Sequence, residues 1–182
     1  KEESVKRARK VLEGEESCDE DLWAQIIEMG FTATAIPEEY GGLGLGYLEL
    51  CVIAEELGRS LAPTPFSSSV YLASEAIINF GDESQKKSFL PGLASGEKIG
   101  AFAHNETNTS PTEANINCSF TGGTLSGTKI AVADGDVANA FIVTANNGTG
   151  VSLYLVDGSA DGIQIEPQST LDPSRSHASI TF

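Results

Sequence analysis

The sequence predicts an α+β protein, an all-helical first half followed by an antiparallel β-barrel or sandwich. Three observations carry this. Apolar residues recur at helical spacing up to about residue 95. Beyond residue 96 the pattern becomes short alternating or β-rich segments separated by glycine turns. Helices and strands fall in separate blocks, which implies segregated α and β portions and not βαβ alternation.

The first helix is expected over residues 3–13, where Gly14 breaks it. Asp19, Glu20 and Asp21 then put acid at the start of a second helix, which suits the positive end of a helix dipole. Leu22, Trp23, Ile26, Ile27 and Met29 give that helix an apolar face, and Gly30 is a plausible C-cap. Next come Gly41, Gly42, Gly44 and Gly46, four glycines in six residues, leading into a third helix with Leu48, Cys51, Val52, Ile53 and Leu57 on one face. Pro63 and Pro65 make a rigid break. A fourth helix is expected over residues 68–80, ending at Gly81. Asp82 with Gln85 reads as a capping box opening a fifth helix through Phe89, its end disturbed by Pro91 and Gly92.

Strands are expected over 99–103, 115–120, 128–132, 140–145, 151–156 and 163–165, and the alternating segment 178–182 looks like an unfinished strand. Because the sequence also begins without Met, a fragment of a longer protein is expected. The boundary between a helical domain, 1–97, and an incomplete β domain, 98–182, falls at the change of period.

The chain has 182 residues, 40% of them apolar, enough for a true core. Eleven basic against 26 acidic residues give a net charge of −15. That field repels phosphate backbones and anionic bilayers, so neither nucleic acid nor membrane is an expected partner. No apolar run is long enough to span a bilayer. Cys18, Cys51 and Cys118 are odd in number and lack CxxC spacing, which points to free buried thiols in a reducing, cytoplasmic setting.

Chemistry-bearing patterns are sparse. The glycine run is not GxGxxG, and Glu38 and Glu39 ahead of it would oppose a phosphate, so a structural turn is the stronger reading. His104 and His177 lie far apart, with no metal-ligand spacing and no GxSxG elbow. Glu55 and Glu56 read as solvated. Glu106 lies in a polar loop leaving the strand expected over 99–103, a place that suits a ligand or an ordinary surface loop.

Four stretches, in order, resemble the acyl-CoA dehydrogenase family. They are the glycine turn of residues 37–46 with its helix, the run Gln85 to Glu97, the run Leu125 to Lys129, and the run Val151 to Asp157 with its sequel. Together they cover about residues 20–182. The resemblance implies an N-terminal helical domain, a middle β domain and a C-terminal helical bundle, of which this chain carries the first and most of the second. It also implies FAD and an α,β-dehydrogenation of an acyl-CoA thioester to the 2-enoyl-CoA. A carboxylate base takes the α-proton, a hydride goes to the flavin, and electrons leave to an electron-transfer flavoprotein. The base usually lies in the C-terminal domain, so no catalytic residue is expected here.

Two stretches match the family's flavin-contacting motifs in part. Phe102, His104 and Asn105 fall in the first, where Asn105 replaces a hydroxyl residue, and Ser110 in its tail is the expected substrate contact. In the second, Lys129 is kept, while Ala131 stands in place of an indole and Ala133 in place of a hydroxyl. Both alanines weaken flavin binding, because neither can hydrogen-bond nor offer a ring face. The phrases Glu56 to Phe66 and Leu171 to Arg175 resemble a divergent branch that handles bulky acyl-CoAs and sometimes pairs unlike subunits, one of them degenerate. A homo- or hetero-oligomer is therefore expected, and a degenerate subunit with weak flavin binding is the alternative function. Arg175 reads either as a phosphate contact or as a structural arginine.

Overall fold

The computed structural model describes residues 2–109 and 111–182. Five α-helices occupy the first half: α1 (Glu2–Leu12), α2 (Glu20–Glu28), α3 (Tyr47–Ser60), α4 (Glu75–Phe80) and α5 (Glu83–Ala94). Eight strands follow: β1 (Gly100–Ala103), β2 (Ser119–Thr121), β3 (Thr124–Ser126), β4 (Thr128–Ala133), β5 (Ala140–Asn146), β6 (Val151–Asp157), β7 (Gln164–Pro167) and β8 (His177–Thr181). Helical and β portions thus follow one another as the sequence indicates.

The helix starts obey local rules. Asp19 caps α2 by accepting the Leu22 N–H at 2.9 Å, and the same carboxylate takes the Arg7 guanidinium of α1 at 3.0 and 3.2 Å. Gly30 follows α2 at φ 74°, a left-handed conformation suited to glycine. Asp82 and Gln85 form the reciprocal capping box at 2.8 and 2.9 Å.

Three helical expectations need correction. The segment before α4 is a π-helix, Ser67–Ser74, and α4 itself is only six residues long. Helix α5 runs through Pro91 to Ala94; Pro91 is exposed, so the carbonyl deprived of its donor lies toward solvent. On α3 the buried side is Leu50 with the half-buried Ile53 and Leu57, which pack near Trp23, Phe66 and Val70. Leu48 and Val52 are 74% and 60% exposed, and Cys51 is exposed too, so only Cys18 and Cys118 are buried thiols.

The strands form two sheets. In the larger, β5 is central: β6 pairs with it antiparallel over seven residue pairs, while β1 pairs with its residues 140–143 and β2 meets it in parallel at Asn146, with β3 paired to β2. The β1–β5 pairing is parallel, a departure from the purely antiparallel expectation. The short strand β3, after the Gly122–Gly123 turn, adds to the strands expected from the sequence. The smaller sheet is antiparallel, in the order β4-β8-β7, so residues 178–182 do form strand in large part.

One apolar core lies within the β portion around Phe141, Val143, Val132 and Ile180. Another joins the portions, placing Ile142 of β5 with Ile36, Ile77, Leu90 and Leu93. Gly100 explains the close approach of β1 to the π-helix: a Cβ there would stand 2.3 Å from that of Ala73, and its N–H donates to Ser69 Oγ at 3.1 Å. Among the described residues, no helix is long and apolar enough to cross a membrane, and no cluster of metal-ligating side chains occurs.

Candidate functional site

The two stretches singled out in the β portion meet in space. The loop leaving β1 lies along β4, and the Ile130 N–H donates to the Asn105 carbonyl at 2.8 Å. Lys129 seals the junction. Its side chain is fully buried, and Nζ donates to Glu106 Oε1 at 2.7 Å, Thr144 Oγ1 at 2.9 Å and the His104 carbonyl at 3.3 Å. Glu106 in turn accepts the Asn117 N–H at 2.6 Å and the Cys118 N–H at 2.9 Å. One buried ion pair therefore ties together the post-β1 loop, β4, β5 and the approach to β2. Lone pairs and ammonium protons are largely engaged, which is what a buried charge pair requires.

Burial alone would raise the Glu106 carboxyl, but the Lys129 ammonium and the two backbone N–H groups outweigh it and hold it below its ordinary value. Burial, and then Lys129, hold His104 below the usual imidazole value against the pull of Glu106. Its Nδ1 lies 3.1 Å from Thr144 Oγ1. The open choice for Glu106 is thus resolved: it is a buried structural carboxylate, not a ligand-binding group on a surface loop.

Strand β4 carries a bulge between Lys129 and Val132, where its register against β8 shifts. Regular alternation would put Lys129 and Ala131 on the same face. The bulge instead buries Lys129 and Val132 and leaves Ala131 exposed at φ 50°. The Ala131 N–H is taken by Gln168 Oε1 at 2.7 Å, a partner 37 residues away that no sequence pattern signals. Ala133 is half-buried, and its carbonyl lies 3.2 Å from Ser68 Oγ. Phe102 and Asn105 are half-buried at the same junction, with the Phe102 ring 6.0 Å from that of His104. Ser110 lies outside the described residues.

Beside this junction, buried Asp134 accepts from Ser68 Oγ at 2.6 Å and pairs with Arg175, whose Nη2 also reaches Ser68 Oγ at 2.8 Å. Arg175 is therefore a structural residue linking the π-helix to the segment before β8. The glycine turn is structural as well. The N–H groups of residues 41–45 donate to the carbonyls of Glu38, Pro37, Ala33, Ile36 and Thr34, which leaves none of them for a phosphate.

The chain thus presents a helical portion followed by two small sheets, with a sealed loop–strand junction in the β portion. The family described as "Acyl-CoA dehydrogenase, N-terminal domain" matches residues 1–97, and the chain belongs to the acyl-CoA dehydrogenase family. It is 32% identical over 157 residues to acyl-CoA dehydrogenase FadE27 of Mycobacterium tuberculosis, a match covering 86% of this chain and 42% of that protein. Among solved structures it is similar to the ChsE4–ChsE5 complex of M. tuberculosis, with a TM-score of 0.82 and 30% identity over 96% of this chain and 47% of that one. It is also similar to an acyl-CoA dehydrogenase complexed with FAD from Bacillus anthracis, with a TM-score of 0.76 and 28% identity over 89% of this chain and 30% of that one. The chain thus spans less than half the length of each of these three.

Against a flavin, the junction fits only in part. The two stretches are adjacent, as a shared ligand requires. Yet neither Ala131 nor Ala133 offers a hydroxyl or a ring, and the Ala131 N–H is already engaged.

Proposed function

We propose that this chain is the helical and β portion of an acyl-CoA dehydrogenase that converts an acyl-CoA thioester to the 2-enoyl-CoA, with FAD as hydride acceptor and an electron-transfer flavoprotein as electron acceptor. The observation that carries this is the junction itself. The stretch at residues 102–106, the end of β1 with its following loop, and the strand at residues 129–133 are locked together by the Lys129–Glu106 pair. Family membership supports the same reading. Phe102, His104, Asn105, Ala131 and Ala133 are the proposed flavin neighbours, and Ser110 the proposed substrate neighbour. No residue of this chain is assigned as the base, and the protein is expected to work as an oligomer in the cytoplasm.

A second reading is a subunit of a heteromeric dehydrogenase that binds flavin weakly or not at all. It is favoured by the engaged Ala131 N–H and the two missing side-chain contacts, and the similar ChsE4–ChsE5 structure is a complex of two unlike chains. The visible absorbance of the complete protein, purified without added cofactor, separates the two. The first reading expects a stoichiometric flavin band that bleaches with acyl-CoA. A protein that stays colourless with added FAD sinks the first reading and leaves the second.

A further inference from the structure

A cavity of about 510 Å³ lies between α1, the end of α3, the segment linking α3 to the π-helix, and the π-helix itself. That volume falls in the range of small-molecule sites. The walls are chiefly apolar, with Leu12, Leu57, Pro63 and Phe66 prominent. Gly58, within α3, also lines it; a Cβ there would meet nothing within 4 Å, so the missing side chain keeps the space open. On the rim Leu61 is held at φ 52° and is 64% exposed, a strained placement for a leucine. A π-helix wall is itself a feature that recurs at functional sites.

Three of the lining residues carry buried polar atoms with no hydrogen-bond partner: Thr64 Oγ1, Tyr71 OH and Arg175 Nε. Each such atom is costly when left unpaired. All three can donate a hydrogen bond, and the Arg175 Nε–H can only donate. The one charge in the lining is that of Arg175, already neutralised by Asp134. A carboxylate entering these apolar walls would lose its hydration and gain no free cation, since Asp134 already pairs the guanidinium; a neutral acceptor loses far less.

We infer that this cavity is a binding site for a neutral apolar molecule or acyl end carrying an accepting oxygen, a ketone, ester or hydroxyl, which small side-chain rotations bring against Tyr71, Thr64 and Arg175. It shares no residue with the junction at residues 102–106 and 129–133. Its occupancy is therefore read independently of flavin binding and turnover.

The test measures binding of 2-heptanone, heptanoate and heptane to the complete protein by ligand-observed NMR at pH 7, in wild type, Tyr71→Phe and Gly58→Leu. The expected result is that 2-heptanone binds more tightly than heptanoate or heptane. Tyr71→Phe should weaken it by about five- to tenfold, the loss of one hydrogen bond. Gly58→Leu should fill the site and abolish binding while raising or preserving the melting temperature, because leucine is a better helix former than glycine. That opposition of binding and stability cannot come from misfolding. Equal binding of heptanoate or heptane, unchanged affinity in Gly58→Leu, or no binding of 2-heptanone to the wild type would each overturn the proposal. Should Gly58→Leu fail to fold, the Tyr71→Phe comparison decides alone.

Discussion

Lys129→Met lowers the stability of the protein by about 3–5 kcal/mol, the usual cost of breaking a buried ion pair by removing one partner. Methionine keeps an unbranched apolar stem only one heavy atom shorter, so the loss is chiefly electrostatic and not a packing defect. Glu106 then keeps two backbone donors but loses its counter-ion in a site where water does not replace it. The measurement is urea unfolding followed by circular dichroism. Glu106→Gln leaves the ammonium buried without its carboxylate and also destabilises. The double variant should lose clearly less than the sum of the two, since residues in direct contact do not act additively. A loss below about 1 kcal/mol in Lys129→Met would mean that the pair does not clamp the junction.

The same pair gives a pH signature. Because the folded-state value of Glu106 is depressed, its contribution is complete above the ordinary glutamate range. It is lost as the pH falls from there through the depressed native value. The wild type should therefore lose stability on acidification through that window, and Glu106→Gln should show a flatter profile.

Gly42→Ala produces the second large effect, about 3 kcal/mol or more, at the severe end of overpacking. A Cβ on Gly42 would stand 1.8 Å from the Ile36 carbonyl oxygen and 2.3 Å from its carbon, contacts that only backbone movement can relieve. That oxygen also accepts the Gly44 N–H at 2.9 Å, so the movement would propagate along the turn. Gly41 is the control. It has φ 83° but open space around a Cβ, so Gly41→Ala should cost only the left-handed strain, about 1–2 kcal/mol. Equal melting temperatures for the two variants would show that crowding against Ile36 is not what the turn requires.

The parts of the fold that the sequence discloses are those decided within a few residues. Asp19 and Asp82 announce helix starts because a capping side chain bonds an N–H three positions on. Gly30 announces an end because a left-handed residue is needed there. The site is legible only by resemblance. Lys129 and Glu106 lie 23 positions apart, and nothing local says that they touch. The β4 bulge inverts the side of Ala131, and the Gln168 contact to its backbone depends on a loop 37 residues on. The π-helix is hidden for a different reason: a helical segment is legible from its residues, but the wider turn accompanies contacts of Ser68 and Ser69 with the β portion, which nothing local announces. The outward side of Leu48 and Val52 is hidden too, because the apolar stripe of α3 is wider than the surface that covers it.

Ile142 of β5 shares an apolar cluster with Ala33, Ile36, Leu90 and Leu93, while Phe102 and Leu155 pack against it from neighbouring strands. The change of period near residue 96 is therefore not a mechanical seam. Pulling either portion away would strip water-shy surface from both at once, which couples the melting of one to that of the other. The two portions are therefore expected to unfold together, and a scanning calorimeter should record a single endotherm in place of two.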